Sequence, residues 1–102
     1  MAFTGNEAEE FPLETASEWT RNYRTANPGA KIAHFFGRNI IQRILDQRDC
    51  VGIRVYYALD NGEKQLIMVG VDAKENDLYE GIIAERSYGC PPYCGQSNPL
   101  NS

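Results

Sequence analysis

Between residues 13 and 26 the less polar positions recur at helical spacing: Leu13, Ala16, Thr20, Tyr23 and Ala26 share a face, with Trp19 beside them and Glu18, Arg21 and Asn22 opposite. That spacing predicts a helix. Thr15-Ala16-Ser17-Glu18 has the form of a capping box, and the alternative start puts Glu14 and Thr15 one turn inside. Asn27-Pro28-Gly29 ends the helix, because proline biases the residue before it away from the α region and glycine turns at little cost. A second periodic stretch sets Phe36, Ile40, Ile41, Ile44 and Leu45 against Arg38, Asn39, Gln42, Arg43 and Asp46. Gly37 belongs at its N-cap or first turn, since a glycine in mid-helix costs about 1 kcal/mol relative to alanine.

From Cys50 the period changes to two. Val51, Ile53, Val55 and Tyr57 point one way and Gly52, Arg54, Tyr56 and Ala58 the other. Asn61-Gly62 is the pair that a two-residue type I′ turn demands, because both central residues need positive φ. With Asp60 facing Glu63, Tyr57 meets Leu66, Val55 meets Met68 and Ile53 meets Gly70, which gathers apolar residues on one face. The opposite face carries Tyr56, Ile67, Val69 and Val71 around Arg54 and is too apolar to stand in water, so the C-terminal segment or a second copy of the chain is expected to cover it. A polar connection over 73–80 leads to a third, short strand at 81–86.

These elements give an α+β fold: two amphipathic helices packed on a three-stranded antiparallel meander, in the order ααβββ. Residues 1–10 read as a flexible acidic tail, 11–94 as a single domain and 95–102 as a C-terminal tail. A chain of 102 residues has room for one core. No apolar run approaches the roughly 20 residues that span a bilayer, and the acidic start does not read as a secretory leader, so the cytoplasm is the expected compartment.

Charge is distributed in blocks. Residues 1–18 carry five acids and no base, 19–54 seven bases against two acids, and 55–102 three bases against seven acids. The sequence pI of 4.9 argues against a nucleic-acid partner, for which the domain value normally exceeds about 9.

Cys90-Pro91-Pro92-Tyr93-Cys94 is the one motif that hints at chemistry. An extended path of four steps at about 3.1 Å would hold the two cysteines roughly 12 Å apart, whereas a disulfide needs Cα atoms within about 7 Å, so the chain must turn at the prolines for the thiols to act together. The pair then reads as a metal-binding dithiol, a disulfide or plain structural residues. For a metal, Cys90, Cys94 and His34 form the candidate set, with Cys50 as an added ligand, and zinc is the ion such a set would take. Otherwise no cofactor is called for. His34 alone reads as a polar or capping residue at a helix start, and Cys50 alone as a small buried hydrophobe. The acids between Asp72 and Glu80 lack the glycine of a calcium loop and read as Asx turns. Phosphate-loop, dinucleotide, zincin and hydrolase motifs are absent from the sequence.

The runs Cys50-Val51-Gly52-Ile53-Arg54-Val55-Tyr56-Tyr57 and Val69-Gly70-Val71-Asp72-Ala73, with Cys90 to Cys94 and Asn98-Pro99-Leu100-Asn101-Ser102, resemble a group of small bacterial proteins without an assigned activity. The resemblance spans most of 13–102 and implies that the C-terminal motif belongs to the domain. Order to at least Cys94 is expected. The function expected is that of a non-enzymatic binding or assembly protein, using self-association or a protein partner through Tyr56, Ile67, Val69 and Val71 or a sheet edge. The alternative is a metal- or thiol-dependent protein built on Cys90 and Cys94.

Overall fold

The computed structural model describes residues 2–102, and Met1 of the expected acidic tail lies outside them. The architecture is α+β, with the elements α1 (Leu13–Ala26), β1 (Ala33–Phe35), α2 (Arg38–Leu45), β2 (Cys50–Asp60), β3 (Glu63–Asp72), β4 (Ile83–Ala84) and β5 (Tyr88–Cys90). They form two compact units. Of the described residues, one contains 2–7 and 36–87, the other 8–35 and 88–102.

The first unit is built on the antiparallel sheet β2-β3-β4. Asn61 and Gly62 take φ of 51° and 83°, the left-handed pair that a type I′ turn requires. The turn sets Asp60 opposite Glu63, and the register then runs Tyr57 to Leu66, Val55 to Met68 and Ile53 to Gly70, as the alternation predicts. A bulge at Val51 shifts the register between Cys50 and Gly52, so Cys50 faces Asp72. That extra residue turns Cys50 onto the face occupied by Gly70.

Gly37 is the N-cap of α2, in extended conformation with φ of −68°. The helix packs on β2 and β3 and inserts Ile44, which is fully buried. Close approach is possible because Gly70 lacks a side chain: a Cβ there would lie 2.8 Å from Gln47 Nε2, 3.0 Å from Cys50 Sγ and 3.3 Å from Ile44 Cγ2. Gln47 fixes the junction. Its Nε2 donates to the Ile44 carbonyl at 2.9 Å and its Oε1 accepts from the Ile82 N–H at 2.8 Å, tying the helix end to the entry of β4. The third strand is shorter than the expected 81–86 and pairs only Ile83 with Val69 and Ala84 with Met68.

The second unit pairs β1 with β5, two three-residue strands that lie outside the expected ααβββ order. Helix α1 starts after Pro12 without a side-chain cap, which leaves Thr15 and Ser17 inside the helix and not at a capping box. Ser17 is the buried residue of α1, and its hydroxyl donates to the Pro99 carbonyl at 2.8 Å. Arg24, in the last turn of the helix, donates to the carbonyls of Leu100 and Ser102 at 2.6 and 3.0 Å. The last residues therefore lie along α1. Leu13 and Trp19 are exposed instead of buried, with the Trp19 ring 4.9 Å from that of Phe11.

Candidate functional site

Two regions carry the residues that the sequence singles out, one in each unit. In the first unit, alternation divides the β2–β3 hairpin into two faces. Arg54, Tyr56, Ile67, Val69 and Val71 share one face. There Val69 and Val71 are buried, Ile67 is half-buried and only Tyr56 is largely exposed. Part of the cover on this face comes from Phe3 and the 73–77 connection of the same unit. The Phe3 N–H donates to the Ala73 carbonyl at 3.0 Å, and the Arg54 guanidinium lies 5.8 Å from the centre of the Phe3 ring. Arg54 also donates to Asp77 Oδ1 at 2.6 Å, and the Tyr56 hydroxyl donates to Asp77 Oδ2. Asp77 itself bridges to Val71 through the backbone.

This cluster pairs the cation that stands among Tyr56, Ile67, Val69 and Val71. The Tyr56 hydroxyl, aided by Arg54, holds the Asp77 carboxyl below its ordinary range, and the same bond to Asp77 pushes the Tyr56 phenol up. Nearby, Asp72 Oδ1 accepts from the backbone N–H groups of Lys74 and Asn76 at 2.9 and 3.0 Å, an Asx turn. Residues 4–7 are likewise organised by a carboxylate. Glu7 accepts from the N–H of Thr4 at 2.8 Å and of Gly5 at 2.9 Å, and these bonds lower its pKa.

The other hairpin face is only partly covered. Helix α2 sits over its base, while Val55, Tyr57 and Leu59 beyond it are 42%, 87% and 75% exposed. These three stand on β2, an edge of its sheet. In a two-residue hairpin the residues flanking the turn exchange both backbone hydrogen bonds, so Asp60, Ala58, Tyr56 and Arg54 bond toward β3. The N–H and C=O groups of Ile53, Val55, Tyr57 and Leu59 therefore point outward. A long apolar edge of this kind is ordinarily guarded by lysine, proline or distortion. From Ile53 to Asp60 the strand has neither residue, and its bulge lies at the far base.

In the second unit the structure joins Cys90 and Cys94 in a disulfide with Cα atoms 4.8 Å apart. The turn between them has cis bonds before both Pro91 and Pro92. Ile32 N–H donates to the Cys90 carbonyl at 2.7 Å, Tyr93 N–H to the Gly89 carbonyl at 3.0 Å, and the Lys31 ammonium to the Pro91 carbonyl. The Tyr88 and Tyr93 ring centres lie 4.9 Å apart, with the rings tilted by 54°. Cys90 is buried and Cys94 exposed.

His34, the third candidate metal ligand, lies in β1 opposite Gly89, one position from the Ala33 to Cys90 pair. Adjacent strand residues face opposite sides, so the ladder brings His34 close to the cysteines in register but turns it to the other face. Both sulfurs are already bonded to each other. Among the described residues no group of three or more His, Cys, Asp or Glu side chains is placed to hold a metal ion. Cys50 is a free, half-buried thiol whose Sγ donates to the Gly52 carbonyl at 3.2 Å.

Among the described residues no helix is long and apolar enough to cross a membrane. Comparison of the chain with protein-family models, curated proteins and solved structures finds no match.

Proposed function

We propose that this chain is a non-enzymatic assembly protein that self-associates by pairing the outer edge of β2 with the same edge of a second copy. The observation that carries this reading is the β2 edge itself, with outward backbone groups at Val55, Tyr57 and Leu59 and exposed side chains at the same positions. A two-fold axis at Tyr57 would pair Tyr57 with its copy, Val55 with Leu59, and Arg54 with Asp60 of the other chain. All three outward residues then meet apolar partners, and the only two charges of β2 meet with opposite sign. Centring the axis on Val55 would instead set Arg54 against Tyr56 and leave Asp60 against Cys50, which favours the Tyr57 register.

The contact is strand-sized, at the small end of specific interfaces, so a dissociation constant on the order of micromolar is expected. Amide hydrogen exchange tests it. The amides of Val55, Tyr57 and Leu59 should exchange quickly in dilute protein and become protected as concentration rises, while those of Arg54, Tyr56 and Ala58 stay protected throughout. Equal and rapid exchange of the first set at all concentrations would contradict the proposal.

A further inference from the structure

We infer that the Cys90–Cys94 disulfide is a thiol–disulfide exchange site for an external dithiol, and that its redox state sets whether residues 95–102 stay seated on α1. Neither part depends on the assembly through β2.

The asymmetry of the pair decides the chemistry. Cys94 is exposed on the turn, whereas Cys90 is buried and its backbone is locked into the ladder with β1. A thiolate approaching from solvent reaches Cys94 Sγ. Attack there forms a mixed disulfide between the incoming sulfur and Cys94, breaks the Cys90–Cys94 bond and releases the Cys90 thiolate. The second thiol of the same dithiol then attacks its own sulfur in the mixed disulfide, releases the Cys94 thiolate and leaves as a cyclic disulfide. Two electrons and two protons pass from the dithiol to the protein. The Lys31 ammonium, held on the carbonyl of the residue after Cys90, puts a positive charge on the turn that carries the leaving thiolate, and a nearby cation favours the ionised form of a thiol.

The consequence follows from what each cysteine is attached to. Cys90 ends β5 and remains fixed by its carbonyl's bond from the Ile32 N–H and by its pairing with Ala33 when the sulfurs part. Cys94 begins the segment whose far end is held on α1 through carbonyls that accept from Ser17 and Arg24. With the disulfide closed, the chain leaves Cys94 from a point fixed relative to the β1–β5 ladder, and those three bonds close a short path. With it open, the same bonds must immobilise a longer free segment, whose greater entropy opposes them.

The probe is reduced dithiothreitol acting on the folded full-length chain. Thiols counted after rapid acid quench and denaturation should rise from one to three, since Cys50 alone is free beforehand. Carboxypeptidase should then trim residues 95–102 at least about tenfold faster in the reduced chain, with the melting of helix and sheet signals still cooperative. Two single variants separate the sulfurs: in Cys90→Ser, Cys94 should form a mixed disulfide with glutathione disulfide readily, and in Cys94→Ser, Cys90 should do so at least about tenfold more slowly. Cys94→Ser should also show the reduced chain's trimming rate without any reductant. A chain that holds three free thiols after air exposure, a disulfide untouched by dithiothreitol until the protein unfolds, equal reaction of the two single variants, or trimming rates that ignore the redox state would each overturn the inference.

Discussion

Gly70, Gln47 and Ile44 show how much of this fold rests on single contacts. A methyl group on Gly70 meets Gln47, Cys50 and Ile44 at once, so Gly70→Ala should destabilise the first unit by about 1–3 kcal/mol in denaturant melts. Adding Gln47→Ala to that variant should recover part of the loss, because one of the three obstructing groups is then gone, although the Ile82 N–H loses its acceptor. Ile44→Asp should abolish cooperative unfolding of the unit, since an unpaired buried carboxylate costs several kcal/mol against a total stability of about 5–15. Asp77 gives the pH dependence. Its carboxyl is held below the ordinary value, so its contribution is complete above roughly pH 4 and lost as pH falls through its folded pKa. Thermal melts should show Asp77→Asn losing less stability than the wild type between neutral pH and acid. Ile44 was visible in the helical period, but Gln47 was not, because a polar residue after a helix looks the same whether it faces water or spans two elements. The signal available was indirect: Gly70 in mid-strand and Gly81 before a strand both mark places where something comes close.

At the scale of elements, local rules succeeded where one residue pair decided the geometry. Asn61-Gly62 fixed the turn, the turn fixed the register of β2 and β3, and the bulge at Val51 is the one departure. The strands β1 and β5 were not legible, since three residues cannot display a period and their pairing joins positions far apart in sequence. Which hairpin face would be covered was equally hidden. Both faces bear apolar residues, and only the lone Phe3 in an acidic stretch pointed to the segment that meets Arg54. The closed turn after β5 has its own energetic expectation. Chain-entropy reasoning for so short a loop gives about 2 kcal/mol, so a Cys90→Ser and Cys94→Ser double variant should lower the stability of the second unit by that order in urea titration. Ser17→Ala should cost roughly 0.5–1.5 kcal/mol and free the last residues without touching either sulfur.

For the whole molecule, the exposed apolar side chains matter more than the small set of buried ones. Val55, Tyr57 and Leu59 stand in a row on an edge strand whose outward backbone groups lie on the side away from β3, and such an arrangement favours pairing with another strand. The sequence pointed to self-association through the face of Tyr56, Ile67, Val69 and Val71 or through a sheet edge, and on that face Val69 and Val71 are buried. Alternation alone could not choose, because the choice depends on where α2, Phe3 and Asp77 come to rest. The most direct measurement is light scattering across a concentration series, run on the wild type and on Tyr57→Lys. The wild type should show a monomer–dimer equilibrium and Tyr57→Lys a monomer with an unchanged fold, because two lysines would face each other across the axis. A wild type that remains monomeric at the highest concentration, or a dimer that Tyr57→Lys leaves intact, would contradict self-association through the β2 edge.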